Sequence, residues 1–239
     1  MFGLTKPKLP VTEAQKKWVD DGFLRLAKLL GSQRLLESTP VTPTPEHFPD
    51  RYDRSEEALR LMFERVAGYM QVDPGEVELT LFAEGHDLTR SLVPFHEGHS
   101  SGAGGLYHGD DDGRARIAVN QKEMKEPMAL VAVLAHELGH VILLRPGLVD
   151  RKDPDMEPLT DLLAVFLGFG IFTANAAFRF EQHSDNTSQG WSVRRSGYLS
   201  EGLCGYALAR YAFERGERKP RWATHLTSNV AGHFKRAAN

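Results

Sequence analysis

The chain has 239 residues, 29 Lys+Arg against 32 Asp+Glu, 10 His and a single Cys. Hydrophobic residues make 41% and 22 Gly are added to them, a composition that excludes a chain disordered throughout; a chain of this size buries enough surface to fold without disulfides or structural metals. The net charge of −3 argues against a dedicated nucleic-acid binder, and Cys204, being alone, excludes an internal disulfide or a CxxC site and fits a reducing, cytoplasmic setting.

In chain order, the first twenty residues carry no apolar run of the kind a secretory leader needs, so none is expected. A first helix starts after Thr12, where Thr12 and Gln15 make a capping box, and ends before Gly31. Its apolar face carries Trp18, Phe23, Leu26 and Leu30. A Pro-rich connection follows, with Pro40, Pro43, Pro45 and Pro49. Residues 1–52 are therefore read as an N-terminal helix and linker, and 53–239 as the main domain.

A second helix is expected from about Ser55 to Met70, closed by Asp73-Pro74-Gly75. Glu76 to Ala83 alternates, with Val77, Leu79 and Leu81 on one side, the pattern of a half-buried strand. Residues 84–105 read as a loop rich in Gly and His. Leu106–Gly109 and Arg114–Gln121 flank Asp110-Asp111-Asp112-Gly113, a hairpin signal. Pro127 opens a long apolar helix to about Leu144. Further helices are expected over Pro158–Ala177, Ser200–Arg215 and Trp222–Arg236. The most apolar stretch, Leu162–Ala174, is too short for a membrane span and reads as a core helix.

The chemistry lies in His136-Glu137-Leu138-Gly139-His140, an HExxH motif. On a helix the i, i+4 spacing puts both imidazoles on one face, one turn apart, so that both reach one metal ion. Glu137 stands beside them and can take a proton from an activated water. The surrounding sequence ALVAVLAHELGHVILL is apolar on every side, and polar groups buried in such a helix need a reason. A catalytic zinc site takes a third protein ligand and keeps one position open.

With Glu157 and Asp161 forming ExxxD downstream, 16 residues intervening between His140 and Glu157, this stretch of about 25 residues resembles the gluzincin metallopeptidases, the thermolysin-like class. The resemblance implies one Zn2+ per chain held by His136, His140 and Glu157. It also implies Asp161 as the carboxylate that orients His136 and Glu137 as general base. Pro158 disfavours helical geometry at Glu157, which leaves Asp161 as the rival third ligand. The implied fold is α+β and zincin-like: a small antiparallel sheet packed on the HExxH helix, with a mostly helical C-terminal part. The implied reaction is hydrolysis of a peptide bond in a peptide or protein substrate. Arg114–Asn120 is in the chain position of a strand edge that pairs with an extended substrate, and equally in that of a plain core strand.

A transition-state donor is sought among His183, Arg194, Arg195, Tyr198 and His225; Tyr198, after Gly197 and before a helix, is the one singled out. Gly98-His99-Ser100-Ser101-Gly102 matches GxSxG but lacks the strand and helix that a nucleophile elbow requires. His96, His99 and His108 match no metal-ligand spacing. The alternative reading is a metal-stabilised binding or regulatory module without turnover, which would have no use for Glu137 as a base.

Overall fold

The computed structural model describes residues 9–83, 104–111, 113–184 and 199–238. Among them the chain forms eight α-helices, three short 3-10 helices and one three-stranded sheet, a mixed α+β architecture. It divides into two compact units, Pro43–Met156 and Met1–Thr42 with Glu157–Asn239.

In the unit Pro43–Met156, helix α3 (Glu56–Tyr69) is capped by Ser55, whose side chain accepts from the Ala58 N–H. A 3-10 turn at Pro74–Glu76 leads into β1 (Val77–Phe82). β2 (Gly105–Asp111) and β3 (Arg114–Asn120) form the expected hairpin. The spatial order is β1-β3-β2. β2 pairs antiparallel with β3, from Gly105 opposite Val119 to Tyr107 opposite Ile117. The register then slips by one, so that Asp110 faces Ala115. The extra residue lies on β2, where Gly109 has φ +84°, as a bulge requires.

Two expectations are corrected here. The sheet is not wholly antiparallel: β1 runs parallel to β3, with Val77 opposite Ala115 and Phe82 opposite Asn120. Alternating hydrophobicity fixes which face of a strand is buried but carries no strand direction. Nor is β3 an edge. It is the central strand, paired on both sides and buried over most of its length, so its backbone groups are already used. Among the described residues, β1 and β2 are the edges.

Helix α4 (Pro127–Leu144) carries the HExxH motif, and fourteen of its 18 residues are buried. Pro127 sits in the first turn, where its missing N–H costs nothing. It is also the one helix among the described residues that is long and apolar enough to cross a membrane by length and composition. Arg145 fixes its C-terminal end against the sheet, donating to Glu76 Oε2 at 2.5 Å and to the Gly113 carbonyl at 2.8 Å.

In the other unit, α1 (Glu13–Leu30) has the predicted capping box at Thr12 and Gln15 and stops at Gly31. A short α2 (Ser32–Glu37), not foreseen in the sequence, follows at once. The single helix expected over Pro158–Ala177 is two, α5 (Met156–Phe166) and α6 (Gly170–Ser184). The break is at Gly168, with φ +94°. A Cβ there would lie 2.0 Å from the Thr39 carbonyl oxygen, and the Gly168 carbonyl accepts the Val41 N–H at 3.0 Å. A crossing backbone, invisible to hydrophobic periodicity, thus ends the helix.

α7 (Glu201–Glu214) lies where a helix was expected and is capped by Ser200. The helix expected from Trp222 is a 3-10 turn, Arg221–His225, and then α8 (Ser228–Ala238). Asn175 on α6 holds the break open, donating to the His225 carbonyl at 2.8 Å and accepting from the Thr227 N–H at 2.9 Å.

Gly168→Ala is expected to cost about 3 kcal/mol, because strained φ and a backbone clash add. Gly31→Ala, with φ +88° and nothing within 4 Å of its Cβ position, costs about 1–2 kcal/mol. Urea denaturation followed by circular dichroism should rank them in that order.

Candidate metal centre

The centre starts from one turn of α4. His136, Glu137 and His140 are 5%, 4% and 6% exposed, flanked by fully buried Leu134, Ala135 and Leu138. The i, i+4 spacing brings the two imidazoles together: Nε2 of His140 lies 3.1 Å from Nε2 of His136, and the rings meet edge to face at 4.8 Å. Two nitrogens bound to one tetrahedral ion at 2.0–2.1 Å stand about 3.3 Å apart. The pair is therefore set for joint ligation without rebuilding the helix.

Glu157 supplies a carboxylate oxygen to the same place. The ligand atoms of His136, His140 and Glu157 all lie within 4.8 Å of one another, so this His-His-Glu group could hold a metal ion. The division between units falls between Met156 and Glu157, so Glu157 is the residue covalently next to the unit that holds α4. It sits in the first turn of α5, helical despite the following proline. The first turn has no intrahelical donors to lose, so Pro158 is accommodated there. Glu157 is exposed, in contrast to the two histidines.

Asp161, one turn further along α5, is 2% exposed and accepts the Leu199 N–H at 2.9 Å on Oδ2. Among the metal-capable groups of the described residues it is Glu157, and not Asp161, that joins the histidines.

Strand β2 lies against this part of α4. A Cβ on Gly105 would stand 2.8 Å from both Cγ and Oε1 of Glu137 and 2.8 Å from Val133. Gly105 is thus glycine because the Glu137 side chain occupies the space. Two residues on, the Tyr107 ring stacks on that of His140 with centroids 6.0 Å apart and planes 20° apart. Neither residue is marked by a motif. The alternation that places 105 and 107 on one face of a strand is the only sequence signal for them. A second buried carboxylate, Glu123, lies in the turn before α4, against Gly104.

The remaining sequence candidates fall elsewhere. Tyr198, Arg194, Arg195, His96, His99 and the GxSxG segment at 98–102 lie outside the described residues. His183 is in the last turn of α6. His225 belongs to the 3-10 turn whose carbonyl Asn175 holds. His108 is on β2, half-buried. Cys204 is buried in α7 with its thiol towards the Leu199 carbonyl at 3.6 Å.

No protein-family model matches the chain, and no curated protein and no solved structure matches it either. The likeness to gluzincins therefore stands on the motif residues alone.

Gly105→Ala should displace Glu137 while leaving both imidazoles in place. The expected outcome is a metal content equal to that of the wild type, with any hydrolytic activity reduced by 10²-fold or more, the range lost when a positioned general base is disturbed. Elemental analysis and turnover, measured on one preparation, check this.

Proposed function

We propose that the chain is a zinc-dependent hydrolase with a zincin-like arrangement, a metallopeptidase that cleaves peptide bonds. The observation that carries the reading is the convergence of His136, His140 and Glu157 on one point, with Glu137 buried on the same helix turn. Two imidazoles and one carboxylate are a donor set that suits zinc and leaves a coordination position open. Zinc, when bound, would supply Lewis acidity to the scissile carbonyl.

The chain's own residues would do the rest. His136 and His140 would hold the ion through their imidazoles and Glu157 through a carboxylate oxygen. Glu137 takes the proton of the attacking water on a carboxylate oxygen and hands it to the leaving amine. Asp161, on the resemblance, is a positioning residue for His136. Tyr107, stacked on the His140 ring, limits how that ring can turn. An extended peptide would pair with the edge of β2, which passes Glu137 at Gly105 and His140 at Tyr107. The burial of α4 supports a core helix and not a membrane span, and the single cysteine supports a cytoplasmic setting.

The test is the metal content of wild type, His136→Ala and Glu137→Gln, with cleavage of a peptide library by each. About one zinc per chain is expected in wild type, lost in His136→Ala and retained in Glu137→Gln. Cleavage should fall by 10²–10⁴-fold in Glu137→Gln. No stoichiometric metal in a folded wild type overturns the metal site. Zinc bound with no library peptide cleaved turns the reading to a metal-stabilised binding module.

A further inference from the structure

Beyond the metal ligands, one cation stands in contact with the ring that packs on a candidate ligand. Arg151 lies in the loop after α4, exposed to solvent. Its guanidinium carbon is 5.2 Å over the Tyr107 ring, and Tyr107 stacks on His140. The bulge of β2 makes room for it: a Cβ on Gly109 would be 3.2 Å from Arg151 Nη2. The neighbouring acids of the loop face their own backbone, Asp150 accepting the Lys152 N–H at 2.8 Å and Asp153 the Asp155 N–H at 2.9 Å. The guanidinium is thus held in place by an aromatic face, and among the described residues no carboxylate takes up its fork of five donors, which suits a partner of opposite charge.

The order along β2 gives this position a meaning. Gly105 marks Glu137, Tyr107 marks His140 and Gly109 marks Arg151. From Tyr107 to Gly109 is two residues, about 7 Å of extended chain. We propose that Arg151 recognises a carboxylate of the substrate about two residues from the scissile bond, making the protein selective for peptides anionic at that place. The shared chemistry is a carboxylate in bidentate contact with a guanidinium; its source is either an acidic side chain or the free C-terminus. The proposal rests on the peptidase reading, which supplies the scissile bond, but the recognition of the anion has its own readout.

That readout is binding, measured on the zinc-loaded full chain carrying Glu137→Gln, which removes the base and not the ligands. Dansylated pentapeptides are titrated in pairs by fluorescence anisotropy, Glu against Gln at each position and free acid against C-terminal amide. The expected result is about tenfold tighter binding of the carboxylate member in one kind of pair, about 1.4 kcal/mol, weakening as salt is raised. The kind of pair identifies the source. Adding Arg151→Gln should erase the difference without changing the affinity of the neutral peptide, and Arg151→Lys should restore part of it. Arg151 is exposed, so neither change threatens folding.

Equal affinity within every pair, including no measurable binding of any peptide, overturns the proposal. So does a preference that survives Arg151→Gln. A preference that depends on Arg151, found in a protein whose Glu137-containing form cleaves no peptide, leaves anion recognition standing and removes the peptidase reading instead.

Discussion

The site depends on burying three polar side chains within one apolar helix. Transfer of an unpaired polar group out of water costs several kcal/mol, and an unpaired charge costs more. α4 carries two imidazoles and a carboxylate on a turn that is almost wholly inaccessible. Such a turn persists only where its surroundings compensate it. The two imidazoles are 3.1 Å apart, close enough to share a proton or an ion. The remainder of the helix contributes apolar area: Leu130, Leu134, Leu138 and Leu143 are fully buried. At about 25 cal/mol per Å2 of area removed from water, each such leucine contributes roughly 1.5–3 kcal/mol. The core of α4 thus offsets the polar turn set within it.

The sheet then shapes what lies next to that turn. Arg145 ties the end of α4 to the hairpin tip and to the turn before β1, which fixes the height of β2 against the helix. Gly105 is the closest approach, with the Glu137 side chain where a Cβ would be. The bulge at Gly109 re-aims the strand just beyond Tyr107. Bulges that turn a strand beside a site are a common way of doing so. A strand that presses one glycine and one aromatic ring against the motif restricts the rotamers of Glu137 and His140 at once.

Much of this was legible in the sequence, and the parts that were not share a cause. HExxH within an apolar run gave the helix, its burial and the pairing of the imidazoles, because all three follow from spacing of 3.6 residues per turn. The capping box at Thr12 and the hairpin around Asp110–Gly113 were legible as local side-chain and turn chemistry. The parallel pairing of β1 with β3, the central place of β3 and the break at Gly168 were not. Each is decided by a segment distant in sequence: β1 pairing on the far side of β3, or Thr39 crossing at Gly168. Pro158 misled for a different reason. The rule that a proline unsettles the residue before it yields where a helix begins, and Glu157 stands in that first turn. Tyr107 and Arg151 carry no motif, and only the fold places Tyr107 on His140 and Arg151 on Tyr107.

The distribution of burial among the acidic and basic groups argues for the direction of the chemistry. His136 and His140, neutral when they act as ligands, are buried, whereas Glu157, charged, is exposed. That ordering minimises desolvation, since burying a carboxylate costs far more than burying a neutral ring. Glu137 breaks the ordering, for it is a carboxylate at 4% exposure. Asp161, buried as deeply, accepts the Leu199 N–H at 2.9 Å, a structural use, whereas Glu137 stands beside the two imidazoles on α4. A divalent cation held next to it would lower the cost of keeping that carboxylate ionised. In the hydrolase proposed above that cost would be put to use, since a base shielded from bulk water would meet the proton it removes.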